Sequence, residues 1–208
     1  MKIETTQVTK RLISDLMGKP YKLDPVTVFL EDLGVRAEHE GRKTRQGKIT
    51  IECYGESWAT YWGSMGDRTV AHFVADESVD YVVGCLRRGV GLEPTVFSGE
   101  ALAKAVRKIA VGCRRGREAW RYECGHLDQD EARRIYDDAE CLQQFESPES
   151  LMHSREADEV LTALFGSEWH YAVSDHAFAP NPRYEYLTRV VSAVRDALQG
   201  LEQKQEAA

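Results

Sequence analysis

The sequence predicts an α+β fold in which an N-terminal antiparallel β-meander packs against a mainly α-helical C-terminal part. Segments with alternating apolar residues are confined to the first third of the 208-residue chain, and segments with helical periodicity follow them. We expect a sheet part over residues 1–66, a helical part over residues 67–202 that packs on it as one compact unit, and a frayed tail over residues 203–208. Since 42% of the residues are hydrophobic, the chain can bury a core, which excludes wholesale disorder.

Three strands are predicted where apolar residues recur at every second position, over residues 26–31, 48–54 and 57–62. Residues 6–16 are expected to supply a fourth strand. The segment 35–47 between the first two strands is polar, charged and bounded by glycines. It is predicted to be an exposed, mobile hairpin loop.

Six helices are predicted from their periodicity and capping residues, over residues 68–75, 79–88, 100–121, 130–145, 155–165 and 182–198. Asp67, Ser98 and Ser154 are suitable N-caps for the first, third and fifth of these helices, and Asp128 with Glu131 resembles a capping box for the fourth. Gly112 and Gly116 predict a kink or break in the third helix, since glycine weakens a helix interior. Gly200 is expected to stop the last helix.

The tryptophans are predicted to lie in the core. Trp58 and Trp62 share one face of a strand, and Trp120 is assigned to the apolar stripe of the third helix. The alternative for Trp58 and Trp62 is an exposed sheet face on which nucleic-acid bases stack.

Charge is segregated along the helical part, although the net charge of the whole chain is only −7. Residues 104–121 contain seven basic side chains and one acidic side chain, a net charge of +6. Residues 122–168 contain thirteen acidic side chains and three arginines, a net charge of −10. We call these two stretches the basic segment and the acidic segment.

Three interpretations of this pattern stay open. The acidic segment can imitate a nucleic-acid backbone and bind a cationic partner through Asp128, Asp130, Glu131, Asp137, Asp138 and Glu140. The basic segment can bind phosphates through Lys104, Arg107, Lys108, Arg114, Arg115 and Arg121. Of these cations Arg107, Arg114 and Arg121 share one side if the helix is continuous. In the third interpretation both segments are solvated helix faces that pair with each other.

No catalytic residue, metal site or cofactor is predicted. A thiol or metal enzyme centred on Cys124 and His126 is an alternative, but the paired spacings typical of zinc ligands are missing. The run Ser174-Asp175-His176 contains the residue types of a catalytic triad, yet adjacency in sequence is not the hydrogen-bonded chain that catalysis needs.

A cytoplasmic location is expected, because neither a secretory signal nor a long apolar stretch is visible and the five cysteines form no disulfide framework. We therefore expect no membrane partner. The pattern leaves the oligomeric state open.

Two short motifs carry a family resemblance. The chain reads G-K-I-T-I-E-C-Y-G-E-S-W over residues 47–58 and Y-W-G-S-M-G over residues 61–66, after D-P-V-T-V-F-L-E-D at 24–32. Over roughly its first 75 residues it resembles small proteins encoded in the early regions of tailed phages and prophages. The resemblance implies a phage protein that acts early in infection inside the host bacterial cell, and it transfers no catalytic residues.

Together these observations predict a phage-encoded, non-enzymatic binding protein. It is expected to inhibit or modulate a host protein or protein–nucleic-acid complex, such as a CRISPR or restriction defence complex, through its acidic surface. The alternatives are a nucleic-acid-binding accessory factor that uses the basic helix 104–121 and a thiol or metal enzyme.

Overall fold

The structure is a computed structural model that describes residues 6–18 and 21–206. Its strands are β1 (Thr9–Ile13), β2 (Met17–Gly18), β3 (Tyr21–Lys22), β4 (Val26–His39), β5 (Arg42–Cys53), β6 (Glu56–Trp62), β7 (Thr95–Phe97) and β8 (Phe178–Pro180). Its helices are α1 (Val70–Asp76), α2 (Val79–Arg88), α3 (Gly99–Arg114), α4 (Gln129–Asp138), α5 (Pro148–Met152), α6 (Arg155–Phe165), α7 (Trp169–His176) and α8 (Pro182–Glu206), with a 3-10 helix at Ala139–Gln144. The predicted α+β class is confirmed.

Two compact units make up the chain. Unit 1 comprises Met1–Pro94 and Pro182–Ala208, and unit 2 comprises Thr95–Asn181. The contacts thus divide the chain after residues 94 and 181, whereas the sequence prediction placed a boundary after residue 66.

Unit 1 contains a four-stranded antiparallel sheet in the order β1-β4-β5-β6. The predicted fourth strand is therefore confirmed, and it pairs with β4 at the edge of the sheet. Alternate side chains of the two central strands are buried, as their period-two pattern requires: Val26, Val28, Leu30, Ile49, Ile51 and Cys53.

The prediction of a mobile loop over residues 35–47 is wrong. β4 and β5 remain paired out to His39 and Arg42, and a tight turn at Glu40 and Gly41, both with positive φ, joins them. The ribbon has no apolar alternation because most of its side chains beyond the covered part of the sheet are at least partly exposed to water. Ladder hydrogen bonds hold it, with register shifts between Asp32 and Val35 and between Val35 and Ala37.

Helices α1, α2 and α8 contribute to the hydrophobic core of unit 1. The rings of Trp62 and Phe73 lie 5.1 Å apart, and those of Trp58 and Tyr186 lie 6.1 Å apart. Both tryptophans are at most 5% exposed, which confirms their assignment to the core. The bases of a nucleic acid therefore have no access to these two rings.

The ends of two helices in unit 1 differ from the prediction. α1 begins at Val70 with Thr69 as its N-cap, because Asp67 instead accepts a hydrogen bond from Arg45 Nε at 2.9 Å. α8 continues through Gly200 to Glu206 and so includes residues 203–206 of the predicted tail. A single glycine costs a helix only about 1 kcal/mol, which is too little to end one that buries its preceding turns. Residues 207–208 lie outside the described residues.

Unit 2 is helical around a core centred on α3 and α6. The bounds predicted for α2 in unit 1 and α6 in unit 2 are confirmed, as are the Ser98 and Ser154 caps. The predicted 130–145 helix is α4 followed by the 3-10 helix, which directs Leu142 into the core. The short ribbon of β7 and β8 was not predicted.

The predicted break in the third helix is confirmed, since α3 ends at Arg114. Gly116 follows in the left-handed conformation, with a φ of 69°. The N–H of Arg117 donates a hydrogen bond to the carbonyl oxygen of Gly112 at 3.0 Å, which closes the end of the helix. The assignment of Trp120 to an apolar stripe is wrong: its side chain is 83% exposed, because the chain leaves the helix before reaching it.

Candidate functional site

Helix α4 carries several of the charged side chains of unit 2. Asp128 caps the helix by accepting hydrogen bonds from the N–H groups of Asp130 and Glu131, and Glu131 accepts in return from the N–H of Asp128. This capping box was predicted from the sequence. Ala132 and Ile135 face the core, so α4 packs on both α3 and α6 and borders a groove with each.

The groove bordered by α6 is acidic. It has a volume of about 650 Å³ and a partly apolar wall. We call it the acidic groove, and its lining residues are Arg134, Ile135, Asp137, Asp138, Cys141, Glu156, Glu159, Val160 and Ala163. Four carboxylates thus face one lining arginine.

Two flanking arginines neutralise the acidic groove only weakly. Arg155 Nε lies 2.8 Å from Glu159 Oε1, and Arg133 Nε lies 3.8 Å from Asp137 Oδ2. Both arginine side chains are at least 79% exposed, and such surface pairs are screened by water and salt. The carboxylates therefore retain a field toward solvent.

The Cys141 thiol lies in the wall of the acidic groove. Burial raises the pKa of this thiol, and the negative charges of Glu156 and Asp138 raise it further. Since all three effects disfavour a thiolate, Cys141 is a protonated, half-buried group surrounded by the carboxylates.

The acidic residues predicted from the sequence separate into two groups. Asp137 and Asp138 lie in the acidic groove, whereas Asp130 and Glu140 are exposed outside its lining. Asp128 and Glu131 are engaged in the capping box, so their role is in stability.

Sequence reasoning missed two of the four carboxylates in the acidic groove. Glu156 and Glu159 belong to α6, and their spacing of three residues places them on one side of that helix. That spacing was visible in the sequence, but the packing of α6 against α4 was not.

The groove bordered by α3 is basic and has a volume of about 510 Å³. We call it the basic groove, and its lining residues are Lys104, Arg107, Lys108, Val111, Gly112, Arg115, Arg117, Glu118 and Tyr136. Five cations thus face one carboxylate. Most of these cations come from successive turns of α3, and Arg115 and Arg117 come from the loop after it.

Four of the six predicted basic residues line this groove. The other two do not: Arg114 is the last residue of α3, and Arg121 lies in the following loop, where its guanidinium is 5.8 Å from the Tyr122 ring. The expectation that Arg107, Arg114 and Arg121 share a helix face fails because α3 ends first. Arg117 was not among the predicted residues.

The basic and acidic segments do not neutralise each other. Within residues 6–18 and 21–206, no ion pair of 4.0 Å or less joins residues 104–121 to residues 122–168. Lys104 pairs at 2.8 Å with Glu100, which is on its own helix. The internal-pairing interpretation is therefore not favoured, and each groove carries an excess of one sign of charge.

The thiol centre suggested as an alternative has unfavourable chemistry. Cys124 Sγ lies 3.5 Å from Cys113 Sγ, and burial together with this neighbour raises the pKa of Cys124 to about 12. A thiol with this pKa remains protonated near neutral pH and is a poor nucleophile. Among the residues that the structure describes, no three His, Cys, Asp or Glu side chains are grouped as metal ligands.

A pocket in unit 1 has a different character. It has a volume of about 450 Å³ and is mainly apolar, with Tyr54, Trp58, Leu92 and Tyr186 in its walls. An ion pair between Arg183 Nη2 and both oxygens of Glu56, at 3.0 and 2.9 Å, also lines it. The Tyr186 hydroxyl donates a hydrogen bond to Cys53 Sγ at 3.1 Å, which fixes the position of this ring.

No helix in the described part of the chain combines the length and the apolar character that crossing a lipid bilayer requires.

Comparison with known proteins supports the phage resemblance and extends it beyond the N-terminal motifs. The model of a family described as a phage family, Phage_phiTE_072, matches residues 1–200. No curated protein and no solved structure matches the chain. Since the match covers both the sheet of unit 1 and all of unit 2, the chain belongs to this phage family.

Proposed function

We propose that this phage protein is a non-enzymatic binding protein that acts in the cytoplasm of the host cell. It inhibits or modulates a host nucleic-acid-handling or defence complex, of the CRISPR or restriction kind, by placing its acidic groove on a cationic site. The observation that carries this proposal is the absence, within the described residues, of ion pairs between the acidic and basic segments.

The shape of the acidic groove suits long cationic side chains. Its volume of about 650 Å³ accommodates more than one such side chain, and its carboxylates supply acceptors for guanidinium or ammonium groups. Ile135, Val160 and Ala163 offer apolar contacts for the aliphatic stems of lysine or arginine. A basic protein surface that normally holds nucleic acid presents such lysine and arginine side chains.

Electrostatics of this kind controls partner choice and association rate. A negative patch speeds encounter with a positive one, and the effect weakens with salt. The proposed interaction is therefore expected to be salt-sensitive and to compete with nucleic acid for the same cationic site.

The test compares two variants with the same change in charge. Asp137→Lys with Asp138→Lys alters the acidic groove, and Asp130→Lys with Glu140→Lys alters exposed acids outside its lining. Each tagged protein is used to capture partners from nuclease-treated host lysate, and the affinity for the captured complex is then measured over a range of salt concentrations.

The groove variant is expected to lose capture and most of the salt dependence, while the control variant keeps both. Equal loss in the two variants means that only bulk charge matters. Unchanged capture by the groove variant means that the acidic groove is not the binding site. Either result contradicts the proposal.

A further inference from the structure

We infer that the basic groove and Trp120 together form a binding site for single-stranded nucleic acid. This site is separate from the acidic groove, and the inference does not depend on the function proposed for that groove.

Trp120 is the first observation. Its side chain is 83% exposed, whereas Trp58, Trp62 and Trp169 are between 3% and 7% exposed. Exposing a large apolar ring to water is unfavourable. An exposed tryptophan near cations is typical of surfaces on which nucleic-acid bases stack.

The loop that carries Trp120 is anchored to the end of α3. Within it, the N–H of Gly116 bonds to the carbonyl of Cys113 at 3.0 Å, and the N–H of Arg121 bonds to the carbonyl of Glu118 at 2.9 Å. The Glu118 side chain packs directly over Gly112. A Cβ added to Gly112 would lie 3.1 Å from the Glu118 carboxylate. The loop therefore has a defined course after α3.

This course places charge and ring on one short segment. Arg115 and Arg117 enter the basic groove, and Trp120 follows three residues later with Arg121 beside it. Since Arg115 and Arg117 form no ion pair within the described residues, they are available to phosphates.

The combination selects single strands over duplexes. Phosphates of either form neutralise the cations, but bases in a duplex are already stacked and their faces are closed to a side chain. A single strand that follows the groove can stack a base on the indole. The preference arises from Trp120, and the affinity at low salt arises from the groove.

The experiment uses the full chain and a fluorescently labelled oligothymidylate, with a duplex of matched length as competitor. Anisotropy gives the dissociation constant, and tryptophan emission reports stacking because the other three indoles are buried. The variants are Trp120→Ala and Arg115→Gln with Arg117→Gln. Their controls are Tyr171→Ala, which changes an aromatic residue 67% exposed on α7, and Arg133→Gln with Arg155→Gln.

We expect the oligothymidylate to bind at low salt and quench emission, and Trp120→Ala to weaken binding by about fivefold or more and abolish the quenching. Arg115→Gln with Arg117→Gln is expected to lower the magnitude of the salt slope by about 1.4, at about 0.7 per lost phosphate contact. Both controls should bind as the parent does. Folding is checked by circular dichroism.

Three results overturn the inference. The first is no binding of the oligothymidylate at low salt. The second is an affinity that Trp120→Ala leaves unchanged, together with no quenching of emission in the parent protein, and the third is a duplex that binds as tightly as the single strand. Because neither Trp120→Ala nor Arg115→Gln with Arg117→Gln alters the acidic groove, their results are separable from the test of the proposed function.

Discussion

The guanidinium of Arg107 joins α3 to the end of α4. Its Nε donates a hydrogen bond to the carbonyl oxygen of Tyr136 at 3.1 Å, and the group lies 5.2 Å from the centre of the Tyr136 ring. Asp137 and Asp138, the next two residues of α4, line the acidic groove. A cation of the basic segment therefore positions the helix that carries two of the four carboxylates.

Replacing Arg107 with alanine is expected to lower the free energy of unfolding by about 1–2 kcal/mol, because it removes a charged hydrogen-bond donor and a cation–π contact. The matched control is Lys108→Ala, an exposed cation on the same helix, which should change stability by less than about 0.5 kcal/mol. Urea unfolding measures both. Equal effects would mean that the contact with Tyr136 contributes nothing.

The capping box separates a stability role from a binding role among the predicted acidic residues. Asp128→Ala is expected to destabilise the protein by about 1 kcal/mol, since the N–H groups of Asp130 and Glu131 lose their acceptor. Asp128→Asn keeps an acceptor at the cap and should cost much less. Thermal unfolding of the two variants checks this, and similar melting temperatures would contradict the assignment.

Two glycines with opposite surroundings provide a paired test of packing. A Cβ on Gly99, at the start of α3, would collide with the backbone carbonyl of Leu142 and lie 2.7 Å from that of Phe145. Gly99→Ala is therefore expected to lower stability by about 1–3 kcal/mol. No heavy atom would lie within 4 Å of a Cβ on Gly84, inside α2, so Gly84→Ala should raise stability by about 0.5–1 kcal/mol.

Chemical denaturation of both variants shows the sign directly. Gly99→Ala without loss of stability would mean that the start of α3 moves freely away from the 3-10 helix.

Alkaline pH is expected to destabilise the protein. Burial raises the pKa of Cys113 and Cys141 above the ordinary 9.0 and that of Cys124 to about 12. Their contribution is complete below pH 9, where folded and unfolded chains are both protonated. It is lost as the pH rises from about 9 toward 12, because the unfolded chain releases these protons first.

Urea unfolding at several pH values between about 8 and about 11 measures this loss. Above about pH 9 the free energy of unfolding of the parent protein should fall with pH, and Cys124→Ala should make this fall less steep. The Cys124 thiol should also react slowly with iodoacetamide in the folded protein and faster once the chain is unfolded. A stability that rises with pH would contradict the sign of these shifts.

Local patterns predicted much of the architecture. The bounds of α2 and α6 and the Asp128–Glu131 box depend on contacts between residues three or four apart, which the sequence displays directly. The strand faces followed from alternation because one side of the sheet is covered. A resemblance to phage proteins was also visible in two short motifs.

Elements without a local signal were missed. The ribbon over residues 35–47 is polar on both faces, so pairing between strands, and not hydrophobic alternation, keeps it ordered. Gly200 carried a stop signal that the buried turns of α8 override. Trp120 looked apolar and therefore buried, although the helix that would have buried it ends six residues earlier.

The sequence by itself determined the α+β class, most helix starts and the existence of two oppositely charged segments. Only the tertiary structure decided how those charges are arranged, because α4 packs against both α3 and α6. Asp137 and Glu159 therefore line the acidic groove together, and Arg107 and Arg117 line the basic groove together. The reason is physical. Residue order specifies hydrogen bonds and faces within a few residues, whereas a groove is made by side chains distant in the chain, and burial of their apolar neighbours selects which ones meet.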